Sequence, residues 1–383
     1  MIREDFHNLK NEDKVKSEVS DSLDKKLYSF FNCCDDELIL NVKDIASNIT
    51  NNFKNIIIVG SGGSINSGIT YNSLSAKDIT FFDNIDPDQT LFKINAITDP
   101  QNTCVIFISK SGKSEEILVL YSLISEHFSK YNITTNDNFF VITQEDQNPL
   151  FNLAKDNRHT ILNHDPDIGG RFSYLSIVGL LAAEISGLDI AKIRKGAADA
   201  IKRYLTTPFA KNTYCKQLAL SMLNKELHAN IFMAYNDKLL PFQIWQQQLW
   251  AESLGKDNLG SIPVSFSGTR DQHSQLQLYL ANPAGKAFNV ITCSKFKNTD
   301  QNLCKIFNTH AKNVINNLAA TGQLVRTLEL PELNEYYLGK LMTNMILETL
   351  ITAEYMQINP FGQGKVEAIK LERLATIQEN FTQ

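Results

Sequence analysis

The chain has 383 residues, 43% of them hydrophobic and 21% charged, with a formal net charge of -5. That length accommodates two domains, either of which can bury a full core. The acidic balance gives no electrostatic footprint for nucleic acid or an anionic membrane surface, so an anionic ligand must be gripped by local donors. The six cysteines (Cys33, Cys34, Cys104, Cys215, Cys293 and Cys304) form no CxxC pair, and His and Cys do not recur at metal-ligand spacing. Free thiols in a reducing cytoplasm are expected, with no metal site. Met1-Ile2-Arg3-Glu4-Asp5 opens a polar segment, and the longest apolar stretch, near residues 174–183, is too short to span a bilayer.

In chain order, residues 1–38 read as an amphipathic helical segment, with Leu23, Leu27, Phe30 and Phe31 at helical spacing among charges. From residue 55 the pattern changes: Ile56-Ile57-Ile58-Val59 is a β-branched run ending at Gly60, the mark of a strand buried on both faces. Further strands are expected at 79–82, 105–108, 139–142 and 160–162, with helical stretches between most of them, notably 114–128. A helical stretch over 174–205 leads to a second strand series at 231–234, 262–266, 288–292 and 324–328. The helices of this half are expected to start near Pro241, Asp271 and Asp300, with a long one over 333–356. Alternating strands and helices predict an α/β fold of two doubly wound parallel-sheet domains packed together. The predicted division is a helical segment 1–38, a first domain 39–195, a second domain 196–370 and a helical tail 371–383.

Two turns carry the first functional signal. Gly60-Ser61-Gly62-Gly63-Ser64 joins a strand end to a helix, where backbone N–H groups and the helix start favour an anion. Asp83, ending the next strand, leaves a dinucleotide fold open, but GxGxxG requires glycine where Ile65 stands. Ser109-Lys110-Ser111-Gly112-Lys113-Ser114 places three hydroxyls and two ammonium groups at a second strand-to-helix junction. Its Gly112-Lys113-Ser114 imitates a P-loop ending, yet the upstream glycine of that motif would fall at Phe107. Ser114 before Glu115 and Glu116 also reads as an ordinary helix N-cap.

The second signal is proton-transfer chemistry. Glu252 ends a segment containing two tryptophans and three glutamines; the spacing of four places Gln248 and Glu252 on one helix face, and Gly255 can stop the helix beyond them. His273 lies in Gly268-Thr269-Arg270-Asp271-Gln272-His273 at an expected helix start, where carboxylates or amides can orient it; the other histidines read mostly as surface. Arg171 follows the glycine pair Gly169-Gly170, which lets a permanently charged guanidinium approach a ligand. Gln363 and Lys370 belong to a loop that enters a helix, and Lys370 suits either a cleft or a routine helix face.

Taken in order, GSGGS (60–64), SKSGKS (109–114), GGRFS (169–173), ESLGK (252–256), GTRDQHS (268–274) and QGKVEAIK (363–370) resemble the phosphoglucose isomerase family, built from two SIS-type sugar-isomerase domains. The resemblance covers about residues 55–370. It implies reversible, cofactor-free isomerisation of glucose 6-phosphate and fructose 6-phosphate through a cis-enediol. By the same resemblance Glu252 is the base, Arg171 stabilises developing negative charge, and His273 and Lys370 assist ring opening. Gly63, Ser64, Ser109, Lys110, Ser111 and Ser114 correspond to the phosphate- and sugar-binding turns, and Gln248 and Gln363 to substrate-contacting amides. It further implies a homodimer in which His273 enters the neighbouring subunit's site. Two departures stand out. SKSGKS replaces the usual threonine-rich loop and is closer to bifunctional phosphoglucose/phosphomannose isomerases, and GSGGSINSG lacks the usual leucine-glycine ending. The chain is also shorter than common members, so trimmed peripheral helices are expected. A non-catalytic sugar-phosphate-binding regulator is the remaining alternative, and it would need only the two phosphate turns.

Overall fold

The computed structural model describes residues 1–9, 35–206, 209–297, 300–366 and 369. It opens with a strand, β1 (Arg3–His7), rather than the start of a helix. This strand runs antiparallel to a distant partner, with Arg3 opposite Glu329 and His7 opposite Val325. Residues two apart share a strand face, and that period governs here: Phe6 packs on Tyr214 and Glu4 turns toward Arg326. Leu23, Leu27, Phe30 and Phe31, which carried the helical expectation, lie outside the described residues.

The first half alternates helices and strands: α1 (Asp36–Asn52), β2 (Asn55–Gly60), α2 (Gly63–Asn72), β3 (Thr80–Phe82), α3 (Pro87–Asn95), β4 (Thr103–Ile108), α4 (Glu115–Ser129), β5 (Phe139–Thr143), α5 (Pro149–Asp156) and β6 (Thr160–Asn163). The five strands form one parallel sheet in the order β3-β2-β4-β5-β6. Strand alternation divides their side chains cleanly. Ile56, Ile58, Ile106, Ile108, Phe140 and Ile142 enter one core, and Ile57, Val59, Val105, Phe107, Phe139 and Val141 enter the other. Both faces are covered, which is why these strands read as continuous apolar runs. Local chemistry starts the helices. Asp35, Asp86 and Asn148 accept backbone N–H bonds at the N-caps of α1, α3 and α5, and Pro87 and Pro149 fill first-turn positions of the latter two.

The expected helix over 174–205 is two, α6 (Ile177–Ile185) and α7 (Ile190–Thr206), preceded by a 3-10 turn at Gly170–Leu175. Ser176 caps α6 by accepting from the Val178 N–H, and residues 186–189 separate the two helices. The chain continues through α8 (Phe209–Leu223), β7 (Ala229–Ala234), α9 (Leu240–Leu254), β8 (Ile262–Ser267), α10 (Leu276–Ala281), β9 (Lys286–Lys295), α11 (Gln301–Ala320), β10 (Val325–Glu332) and α12 (Glu335–Tyr355). The second sheet has the order β1-β10-β9-β7-β8, and β1 is its antiparallel member. A single apolar cluster joins Ile58 and Ile106 of the first sheet, through Leu181 of α6 and Leu347 of α12, to Phe232 and Ile291 of the second. The two lobes therefore share an interior. Among the described residues no helix is long and apolar enough to cross a membrane.

Candidate active site

In the first sheet, β2 and β4 are neighbours whose following helices leave in different directions along the strand order, so the carboxyl ends of these strands border a topological switch point. Ligands of open α/β sheets bind in such crevices. Both predicted phosphate turns arise there: β2 ends at Gly60 and α2 begins at Gly63, while β4 ends at Ile108 and α4 begins at Glu115. Ser114 occupies the N-cap of α4, but its side chain bonds no helix N–H. Its hydroxyl instead accepts from the buried Ser109 hydroxyl at 3.1 Å. Simple helix capping thus does not account for Ser114. Burial lowers the pKa of Lys110, and the nearby carboxylates of Asp165 and Asp167 counteract that shift.

Gly63 couples this crevice to the Arg171 turn. A Cβ on Gly63 would lie 2.3 Å from the backbone N of Arg171 and 2.3 Å from the carbonyl carbon of Gly170, so the two glycine turns touch through their main chains. Arg171 is only 3% exposed. Its Nη1 donates to Glu252 Oε2 at 2.9 Å, its Nε donates to Ser253 Oγ at 2.9 Å, and its Nη2 donates to the Pro360 carbonyl. Burial lowers the guanidinium pKa, and the adjacent Glu252 works in the opposite direction.

Glu252 lies on the last turn of α9, and Gly255 is the helix C-cap. Gln248, one turn earlier, donates from Nε2 to Glu252 Oε1 at 3.0 Å. Both carboxylate oxygens therefore have fixed donors, while the side chain remains 24% exposed toward the cleft. The helix-face pairing anticipated from the spacing of four is present.

The cleft, about 550 Å³, is lined by Gly63, Ser64, Lys110, Ser111, Ser114, Arg171, Gln248, Glu252 and Gln363. Nine sequence-predicted residues from both lobes and from the segment after α12 thus share one space. Ser109 stands just behind it, bonded to Ser114. His273 does not line the cleft. It ends a 3-10 turn after β8, an edge strand of the second sheet, and is exposed. Asp271 accepts from the Ser267 N–H at 2.7 Å, fixing this turn where a longer helix was expected. Lys370 lies outside the described residues. A larger groove, about 710 Å³, includes Phe53, Ile56, Ile79 and Phe92 and none of the predicted site residues.

Several lining residues were not anticipated. Gln144 and Asp167 complete one wall, and Phe172 and Phe361 pack together at 5.5 Å beside Arg171. Gln144 directly follows β5, and a polar residue just past a parallel strand was the available signal. Pro360 and Gly362 are brought in by Arg171 and Lys256, whose donors bond their carbonyls across long sequence distances. The histidine reading also changes, because His127, His159 and His164 are buried. His159 bonds the Tyr121 hydroxyl and His127 meets the Ile97 carbonyl, each at an interior polar contact. Among the described residues no cluster of three or more His, Cys, Asp or Glu is placed to hold a metal.

The phosphoglucose isomerase family model matches residues 41–336. A probable glucose-6-phosphate isomerase of Methanococcus maripaludis is 31% identical over 339 residues, covering 82% of this chain and 77% of that protein. The glucose-6-phosphate isomerase of Methanocaldococcus jannaschii is 28% identical over 92% of this chain and 90% of its own length. In fold, the chain is similar to a hypothetical protein from Thermus thermophilus, with TM-score 0.82, 24% identity and coverage of 94% and 92%. It is also similar to a glucose-6-phosphate isomerase from Chlamydia trachomatis, with TM-score 0.76, 19% identity and coverage of 97% and 77%. With Glu252, Arg171 and both glycine- and serine-rich turns lining one cleft and the family pattern running through most of its length, the chain belongs to the phosphoglucose isomerase family.

Proposed function

We propose that this chain interconverts glucose 6-phosphate and fructose 6-phosphate through a cis-enediol, using side chains alone. The observation that carries this reading is the Glu252–Arg171 pair at 2.9 Å, in the same cleft as both phosphate turns. The phosphate docks at the start of α2, by Gly63 and Ser64, and against Lys110, Ser111 and Ser114, with Ser109 holding Ser114. Helix-start N–H groups, hydroxyls and an ammonium group suit a dianion. Glu252 removes the proton from C2 of the open aldose and returns it to C1, and the reverse path starts at C1. As the C–H bond breaks, its electrons move toward O1, where the fixed Arg171 charge offsets the developing negative charge, and the O2 hydroxyl proton passes to O1 so that the carbonyl re-forms at C2. Gln248 and Gln363 hold sugar hydroxyls.

Ring opening is assigned to His273 and Lys370. Because His273 is exposed and does not line the cleft of its own chain, a second copy supplies it in this reading, which makes the working unit a homodimer in the cytoplasm. The domain division at residues 195/196 belongs to the same reading. A regulator that only bound sugar phosphates would have no use for a carboxylate clamped by Arg171 and Gln248 inside the phosphate cleft.

The test is a coupled assay of purified protein with fructose 6-phosphate and, in a separate arm, mannose 6-phosphate. Turnover of fructose 6-phosphate is expected, and Glu252→Gln should lower it by about 10²–10⁴-fold, the usual contribution of a positioned base, while calorimetric binding of the sugar phosphate persists. Undiminished turnover in that variant removes Glu252 from its role. Turnover of mannose 6-phosphate would broaden the substrate range to two hexoses.

A further inference from the structure

We infer that Asn66 is a positioning residue for this reaction, acting through Gln248 to hold the Glu252 carboxylate. The inference rests on the isomerase reading above, and it arises from Ile65-Asn66-Ser67, the part of the first turn that departs from the family's usual leucine-glycine ending.

Asn66 lies in the first turn of α2, and its backbone N–H bonds the Gly62 carbonyl at 3.0 Å. It is therefore anchored to the phosphate turn itself. Its side-chain Nδ2 donates to Gln248 Oε1 at 2.9 Å, and Gln248 Nε2 donates in turn to Glu252 Oε1 at 3.0 Å. This chain of amides crosses from the first lobe to the second and ends on the base.

The direction of each bond follows from donor and acceptor capacity. An ionised carboxylate only accepts, so Gln248 must present its NH2 to Glu252. That choice turns Gln248 Oε1 away from Glu252 and toward a group that can donate. Asn66 is that donor. Without it the Gln248 orientation rests on the Glu252 carboxylate alone and the amide oxygen loses its partner, so the amide is held less firmly against the base. The amide occupies space that only a glycine leaves open, since a Cβ on Gly62 would come within 3.0 Å of Nε2.

Two substitutions separate the effects of shape and donation. Asn66→Asp keeps the shape but reverses the hydrogen-bond sense: the carboxylate only accepts, draws the Gln248 NH2 toward itself and turns the amide oxygen to Glu252. Asn66→Leu removes the donor without adding charge. The acidic limb of the kcat/KM–pH profile is expected to move to higher pH in both. The expected losses of kcat/KM at pH 6 are about tenfold for Asn66→Asp and about threefold for Asn66→Leu, on the scale of one charge-assisted hydrogen bond. Asn66→Leu in a Gln248→Leu background should shift neither the limb nor the rate further, because the relay is already cut. The inference is overturned if Asn66→Leu has its full effect in that background, or if the profile of Asn66→Leu matches the wild type. Thermal unfolding of each variant separates misfolding from lost positioning, and Asn66→Leu decides the matter alone if Asn66→Asp does not fold. Wild-type protein inactive on fructose 6-phosphate would instead reject the isomerase reading on which the inference rests.

Discussion

The two sheets share a core order, with β2 and β7, the first parallel strand of each in sequence, lying inside, yet they contribute opposite ends of their helices to the cleft. The first lobe supplies helix beginnings: α2 and α4 start at the carboxyl ends of β2 and β4, and their turns face the ligand space. The second lobe supplies a helix end, the last two turns of α9 with Gln248 and Glu252. A helix N-terminus carries partial positive charge and exposed N–H groups, so it suits a phosphate. A helix C-terminus gives no such support to a carboxylate, and here Arg171 of the first lobe provides it. One topology thus supports two kinds of chemistry, depending on which helix end faces the partner lobe.

The charged groups of the lobes differ in the same way. Arg171 is buried but reaches the cleft through Glu252. Arg326, fully buried in the second lobe, faces Glu348 at 2.8 Å, Glu4 at 3.6 Å and the Tyr214 ring at 4.5 Å. Burial works against its charge, but Glu348, Tyr214 and Glu4 hold its pKa above the ordinary arginine value. This second cluster ties β1 to β10 and α12 and lies outside the cleft, so its role is structural.

Substitutions should divide along that line. Of the two buried arginines, the one expected to affect catalysis is Arg171: Arg171→Lys retains the charge but loses the planar fork that reaches Glu252, Ser253 and Pro360 at once. Its kcat should fall by about 10²–10³-fold, as when one preorganised electrostatic donor is removed; a decrease below about threefold in a steady-state assay would count against the charge-stabilising role. Arg326→Met should do the reverse. It strands Glu348 in the interior and should cost about 3–5 kcal/mol in urea unfolding, while kcat per folded molecule stays unchanged. A kcat loss at constant stability would show that the second cluster is coupled to the cleft.

A smaller effect is expected at Lys110. Because burial lowers its pKa, its amine becomes neutral as pH rises through a value below that of an exposed lysine, and phosphate binding weakens there. The KM of the wild type should therefore climb on the alkaline side before ordinary lysines titrate. Lys110→Met should raise KM roughly tenfold at neutral pH, about one charge-assisted hydrogen bond, and remove the alkaline climb. Kinetics from pH 7 to 10 read both.

The sequence showed most clearly what local physics controls. The doubly buried strands were legible because covered parallel strands demand unbroken apolar runs, as at Ile56-Ile57-Ile58-Val59. The Gln248–Glu252 face was legible because helical spacing fixes it. β1 was not, since its partner is more than three hundred residues away and its five residues carry no helical or strand signal of their own. The break between α6 and α7 did carry a local signal, which a continuous helix over 174–205 passes over: Gly187 takes a positive φ after α6, and Asp189 accepts the Ala191 N–H at the start of α7.

By itself, the sequence determined the α/β class, the two glycine- and serine-rich turns, and the identities of the acid, cation and amides at the cleft, because each depends on residue type and short spacing. Only the tertiary structure decided that Arg171 clamps Glu252, that Asn66 reaches Gln248, that Pro360 closes over the guanidinium, and that His273 stands outside. Those contacts join segments from 81 to 189 residues apart, and their geometry is set by how two lobes pack around a common core, which no local pattern records.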